Sequence, residues 1–115
     1  MGDFNMRLIF ALFIILVFAP FKLAAQQNEN DPLVAARMMA TTAGSAKYCK
    51  IRDDIVEQYI SNAYARLALL SRDEYEKVLS RLEFKNFLTA TRVRAPEIGC
   101  EAFTKQFLDY MRQLP

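Results

Sequence analysis

The chain contains no histidine and no tryptophan among its 115 residues, and it has only three glycines. Histidine is the commonest general base in enzymes and the commonest metal ligand, so either kind of site would need other groups. The serines have no histidine to activate them, and the Gly-x-Ser-x-Gly motif is absent. The sequence therefore predicts no catalytic residue, no metal site and no cofactor.

An excess of charge of one sign is also lacking. The chain carries 15 basic and 13 acidic residues, which gives a formal net charge of +2. Nucleic-acid-binding domains concentrate positive charge much more strongly than this. The charge balance therefore predicts that the chain does not bind nucleic acid.

No apolar run is long enough to cross a membrane comfortably. The longest one covers residues 8–21 and includes Pro20. As a helix it would measure about 21 Å, whereas a bilayer core requires about 20 apolar residues. The length suits the apolar region of a signal peptide, and the small pair Ala24-Ala25 follows it. We expect cleavage between Ala25 and Gln26, with translation starting at Met1 or Met6.

The predicted organisation is a signal peptide over residues 1–25, a disordered leader over 26–31 and a helical domain over 32–115. An uncleaved signal anchor is the alternative, and membrane contact would then pass through that segment alone. Export places the domain in the periplasm or outside the cell, where disulfides form and persist. A domain this small often needs a covalent link to supplement its core.

Cys49 and Cys100 are the only two cysteines. They do not form a Cys-x-x-Cys motif, and two thiolates without histidine make a poor zinc site. In an oxidising compartment the two are expected to form an intramolecular disulfide. Two free buried cysteines or an intermolecular bridge remain the alternatives.

Apolar residues recur at helical spacing throughout the domain, and strand alternation with hairpin turns is not apparent. Asp31-Pro32 is a helix-start signal, Gly44-Ser45 could weaken the first helix, and Pro96 separates the last two segments. The sequence predicts an all-α bundle of three to four helices, within residues 32–49, 52–70, 71–93 and 96–115.

Two helix starts have recognisable caps. Asp53 or Asp54 is predicted to cap the second helix, and Ser71-x-x-Glu74 matches a capping box for the third.

The third helix carries apolar residues on two faces about half a turn apart. Its first stripe consists of Tyr75, Val78, Leu79 and Leu82, and its second consists of Phe84, Phe87 and Leu88. A break near Glu83, burial of both faces, or a second patch that contacts a partner would each explain the change of direction.

Methionine-rich and aromatic surfaces adapt to varied partners. We therefore predict a candidate binding surface made of five residues that are methionines or fall outside the main helical stripes. The alternative is that these side chains only fill space between packed helices. The five residues are Met38, Met39, Tyr64, Phe84 and Phe87.

These features predict a non-enzymatic binding protein or chaperone that holds a protein, a peptide or an apolar ligand. In its size and its single long-range cysteine pair, the chain is similar to periplasmic acid-stress chaperones of the HdeA/HdeB type. That similarity is one of architecture and implies a chaperone-like role. The alternative is a carboxylate-dependent envelope enzyme, or an accessory or inhibitor of one. The oligomeric state is left open by the sequence.

Overall fold

The computed structural model describes residues 28–115. Within that range the fold is all-α and contains no strand, as the sequence predicts. The predicted signal peptide and its cleavage site lie outside the described residues. The helices are α1 (Pro32–Tyr48), α2 (Asp53–Leu70), α3 (Glu74–Thr91) and α4 (Cys100–Gln113). None of the helices in residues 28–115 is both long enough and apolar enough to cross a membrane.

Helix α1 starts where the Asp31-Pro32 pair predicts. The Asp31 carboxylate accepts hydrogen bonds from the backbone N–H groups of Leu33 at 2.8 Å and Val34 at 3.4 Å. The preceding residues turn back onto the helix start, because the Asp31 N–H donates to the Asn28 carbonyl at 3.0 Å. Residues 28–31 of the predicted disordered leader therefore form a turn in this structure.

The predicted caps of α2 and α3 are wrong. Arg52 occupies the position before α2 and makes no capping hydrogen bond through its side chain, while Asp53 and Asp54 lie in the first turn. There the two carboxylates favour the positive end of the helix dipole without acting as caps.

At α3 the capping residue is Asp73, which accepts from the Glu76 N–H at 2.8 Å. Ser71 instead terminates α2, because its hydroxyl donates to the Leu67 carbonyl at 2.7 Å. The Glu76 carboxylate accepts from the Arg72 N–H at 2.8 Å and not from the N–H of Asp73, so a complete capping box is not formed.

Helix α1 is the centre of the bundle and packs against all three other helices. Its buried surface is made of small residues: Ala35, Ala36, Ala40, Ala43, Gly44, Ser45 and Ala46. Small side chains allow α3 to approach closely, and the Thr91 hydroxyl of α3 lies 3.3 Å from the Ala40 carbonyl. Gly44-Ser45 does not interrupt the helix. The glycine instead accommodates the close approach of Thr91.

The end of α1 leads directly into the disulfide. The N–H of Lys50 donates to Lys47 and the N–H of Ile51 donates to Ala46, both at 3.1 Å, which is the hydrogen-bond pattern of a Schellman motif. Lys50 has a left-handed φ of 58°, a conformation that this motif requires.

Cys49, which ends α1, is bonded to Cys100, the first residue of α4, and their Cα atoms lie 5.3 Å apart. The predicted intramolecular pairing is confirmed. Because the bridge joins the end of α1 to the start of α4, it fixes where α4 begins against the other helices.

The large core side chains come from α2, α3 and α4. Val56, Leu67 and Phe84 are fully buried, and Phe107 of α4 is nearly so. Phe107 packs against Tyr59 of α2 with a ring-centroid distance of 5.3 Å. The core therefore joins small residues on the central helix to large residues on its neighbours.

Candidate functional site

The five predicted binding residues do not form one surface. Met38 and Met39 line a groove on one side of the bundle. Tyr64, Phe84 and Phe87 lie instead at the packing of α3 against α1 and α2. Met38 is exposed and Met39 is partly buried against the core, and both lie apart from the three aromatic residues.

Phe84 is a core residue. It is completely buried, and the ring of Tyr64 packs edge-on against it at a centroid distance of 5.0 Å. The guanidinium of Arg81 lies over the partly buried ring of Tyr64, 4.6 Å from the ring centroid. The alternative that the sequence left open is settled for Phe84: its side chain does not reach the surface.

Phe87 is also covered, although less completely. The guanidinium of Arg37 lies 5.8 Å from its ring centroid and forms a 2.9 Å salt bridge with Glu83. Cation–π contacts and the salt bridge together attach α1 to α3 at this point. Phe87 thus contributes to helix packing in this structure.

The groove that contains Met38 and Met39 runs between α1, α2 and the end of α4, and we call it the Met–Tyr groove. Its volume is about 480 Å³, within the range of small-ligand sites. Apolar side chains form most of it, and polar groups lie at its edge. The lining residues are Glu29, Ala35, Met38, Met39, Tyr59, Asn62, Ala63, Arg66, Tyr110 and Leu114.

Tyr59 and Tyr110 form the aromatic wall of the Met–Tyr groove, with ring centroids 6.2 Å apart. Burial raises the pKa of the Tyr59 hydroxyl above its usual value. Within residues 28–115 Arg66 forms no salt bridge, which leaves its charge available to a ligand. The groove can therefore accept an apolar body that ends in a polar group, and the charged side chains in its lining are Glu29 and Arg66.

A second groove, of about 540 Å³, lies between the start of α1 and the α2–α3 turn and contains three carboxylates. Asp31 and Asp73 already accept hydrogen bonds as helix caps. Glu76 is held by the side chain and N–H of Arg72, and this hydrogen bonding lowers the pKa of Glu76. A general acid needs a raised pKa, so the lowered pKa of Glu76 is the opposite of what that role requires.

Metal-ligating side chains are not clustered in the part of the chain that the structure describes. No group of three or more Cys, Asp or Glu side chains there is arranged to hold a metal ion. Every buried side-chain nitrogen or oxygen in residues 28–115 has a hydrogen-bond partner.

The outer face of α3, which we define as Tyr75, Val78 and Leu82, is the apolar surface that sequence reasoning misjudged. The side chains are 73%, 64% and 53% exposed, respectively. They belong to the stripe that resembled the buried side of the helix, whereas the structure buries the opposite face around Phe84. The change of direction between the two stripes was the available signal, but it does not say which stripe is inside.

Comparison with known proteins adds no relative, because the chain matches no family model, no curated protein and no solved structure. Functional inference therefore depends on the Met–Tyr groove and on the outer face of α3.

Proposed function

We propose that this chain is a small exported protein, periplasmic or secreted, that binds an apolar ligand or an apolar segment of a peptide or protein without catalysing a reaction. The intramolecular Cys49–Cys100 disulfide supports export, because such bridges persist in oxidising compartments. Residues 1–25 would be removed as the signal peptide.

One observation carries the binding proposal: Met38 and Met39 line a concave groove together with Tyr59 and Tyr110. Methionine has a flexible, polarisable side chain that adapts to differently shaped apolar groups. Tyrosine presents a large apolar ring and keeps a polar hydroxyl for orientation. The site therefore suits adaptable binding of apolar groups better than recognition of a highly charged molecule.

Arg66 narrows the ligand chemistry. A guanidinium at the edge of an apolar groove favours a ligand with a carboxylate or sulfonate at one end. The dye 8-anilinonaphthalene-1-sulfonate has this combination of an aromatic body and one anionic group, so it is a suitable first probe.

Methionine methyl groups provide the most direct test. Of the five methionines in the chain, only Met38, Met39 and Met111 lie after the predicted cleavage site. Met38 and Met39 line the groove and Met111 does not, although Met39 and Met111 both pack against the core. In protein labelled with ¹³C at the methionine methyls, titration with the dye should shift two signals and leave the third nearly unchanged.

Two substitutions distinguish dye binding in the Met–Tyr groove from nonspecific dye binding to exposed apolar surface. Met38→Asp places a charge at the mouth of the groove and should weaken dye binding about tenfold or more. Ile98→Asp is the matched control, because Ile98 is also about half exposed but lies outside the groove. Equal effects of the two substitutions, or a uniform shift of all three methyl signals, would contradict the proposed site.

A further inference from the structure

The outer face of α3 is an apolar stripe with no cover from residues 28–115. Tyr75, Val78 and Leu82 occur at positions i, i+3 and i+7, the spacing of one side of a helix pair. They lie on the far side of α3 from the buried Phe84. The Met–Tyr groove involves α1, α2 and α4, so it is separate from this face.

Charged side chains border the stripe along one edge. At about 100° per residue, Glu74, Arg81 and Lys85 lie on the same edge of α3. The Glu74 carboxylate has only a long 3.8 Å contact with Lys77 and is otherwise in solvent. Within residues 28–115 Lys85 forms no salt bridge. This edge of α3 is therefore negative near Glu74 and positive near Lys85.

This arrangement is complementary to itself. When two identical helices pair in antiparallel directions about a two-fold axis, the same edge of each helix meets. An axis between Val78 and Leu79 places Tyr75 of one copy beside Leu82 of the other. At a rise of 1.5 Å per residue, Glu74 then lies about 3 Å along the axis from Lys85 of the second copy. Arg81 is equally near along the axis, but its guanidinium already lies over the Tyr64 ring of its own chain. Parallel pairing brings no such opposite charges together.

We propose that the outer face of α3 binds the same face of a second copy of this chain, in an antiparallel two-fold dimer. A stripe of three side chains on each copy is smaller than a standard interface. The dimer should accordingly be reversible, with a dissociation constant of about 10–100 µM.

The test is sedimentation equilibrium of the purified chain in its processed form, which mass spectrometry identifies, between about 5 µM and 1 mM. Val78→Asp would bury two like charges at the axis and should raise the dissociation constant about 100-fold or more. Val93→Asp is the matched control, since Val93 is 70% exposed but lies beyond the end of α3. Circular dichroism should show unchanged helix content in both variants.

Charge exchange tests the antiparallel direction. Glu74→Lys should weaken the dimer about fivefold, because two pairs are lost by symmetry. Adding Lys85→Glu to that variant should recover part of the lost affinity. A chain that stays monomeric up to 1 mM overturns the proposal, as do equal effects of Val78→Asp and Val93→Asp. Failure of the double variant to recover affinity overturns the antiparallel arrangement.

Discussion

Replacement of Gly44 by alanine tests whether the close approach of α1 and α3 organises the fold. In an ordinary helix interior the change would stabilise the protein by about 1 kcal/mol, because alanine is the better helix former. Here a Cβ atom built on Gly44 would lie 2.7 Å from the Thr91 Cβ and 3.0 Å from the Arg92 backbone nitrogen. It would lie closer still to the Thr91 hydroxyl oxygen.

These distances require α3 to move or Thr91 to change its rotamer. Overpacking a tight core contact costs about 1–3 kcal/mol, and most of this range is larger than the gain in helix propensity. We therefore expect Gly44→Ala to lower the free energy of unfolding by about 1–2 kcal/mol. In a domain of this size that change corresponds to a decrease in Tm of about 4–16 °C.

Guanidinium unfolding followed by circular dichroism at 222 nm is the appropriate assay, with the disulfide kept oxidised. Thr91→Ala removes the obstructing atom that is nearest to the new methyl group, although the Cβ at 2.7 Å stays. The double variant should therefore be more stable than the sum of the two single effects by about 1 kcal/mol. Ala65→Gly at an exposed position of α2 calibrates helix propensity in the same protein. A Gly44→Ala variant that is about 1 kcal/mol more stable than the parent would refute the close-packing account.

Three other changes test separate features. Replacing Cys49 and Cys100 together by serine should lower the unfolding free energy by about 4 kcal/mol in denaturant titrations, because 51 residues separate the bridged positions; a loss under about 1 kcal/mol would contradict that estimate. Lys50→Gly should raise stability by about 0.5–1 kcal/mol in thermal unfolding, since Lys50 has a φ of 58° that glycine adopts without strain; a decrease would show that the lysine side chain matters more. Stability should be flat from about pH 5 to pH 9, because the chain has no histidine and its two cysteines are bridged. The free energy of unfolding should fall below about pH 4, because the Arg72 hydrogen bonds lower the pKa of Glu76 in the folded protein and protonation of Glu76 then favours the unfolded chain. It should also fall above about pH 10, because burial raises the pKa of Tyr59 and this tyrosine ionises first in the unfolded chain. A titration step near pH 7 would contradict this assignment.

The helices could be predicted from local sequence patterns, and the disulfide could be predicted because there are so few cysteines. Helical spacing of apolar residues is a property of a single segment, and it located all four helices. Two cysteines allow only one intramolecular pairing, so Cys49–Cys100 required no knowledge of the fold. Helix ends were less predictable. Ser71 and Asp73 can both cap α3, and the choice depends on the hydrogen bond that Ser71 makes to α2.

The candidate site was only partly predictable. Met38 and Met39 could be selected by residue type, but the groove depends on Tyr110 and on the end of α4, which lie far away in the sequence. Arg66 gave no sequence signal at all, because an exposed arginine on a helix is ordinary. Its interest comes from its position at the edge of an apolar groove.

In α3 the structure buries the face around Phe84 and exposes the face that carries Tyr75, Val78 and Leu82. The apolar pattern alone could not identify which of these two faces is buried. The stripe that contains Tyr75 and Leu82 carries as many large apolar residues as the one that contains Phe84, so burial by residue type alone does not choose between them. The choice follows from α1, whose small side chains leave space for a large one from a neighbouring helix. Phe84 fills the core, and the contacts around it are specific to its face: Arg37 reaches Glu83, and Thr91 fits against Gly44. The outer stripe makes no comparable contact with α1 in residues 28–115, because the charged side chains along its edge, such as Glu74 and Lys85, lie in solvent. The bundle therefore takes its register from a few close and polar contacts, and the remaining apolar stripe is free to pair with another molecule.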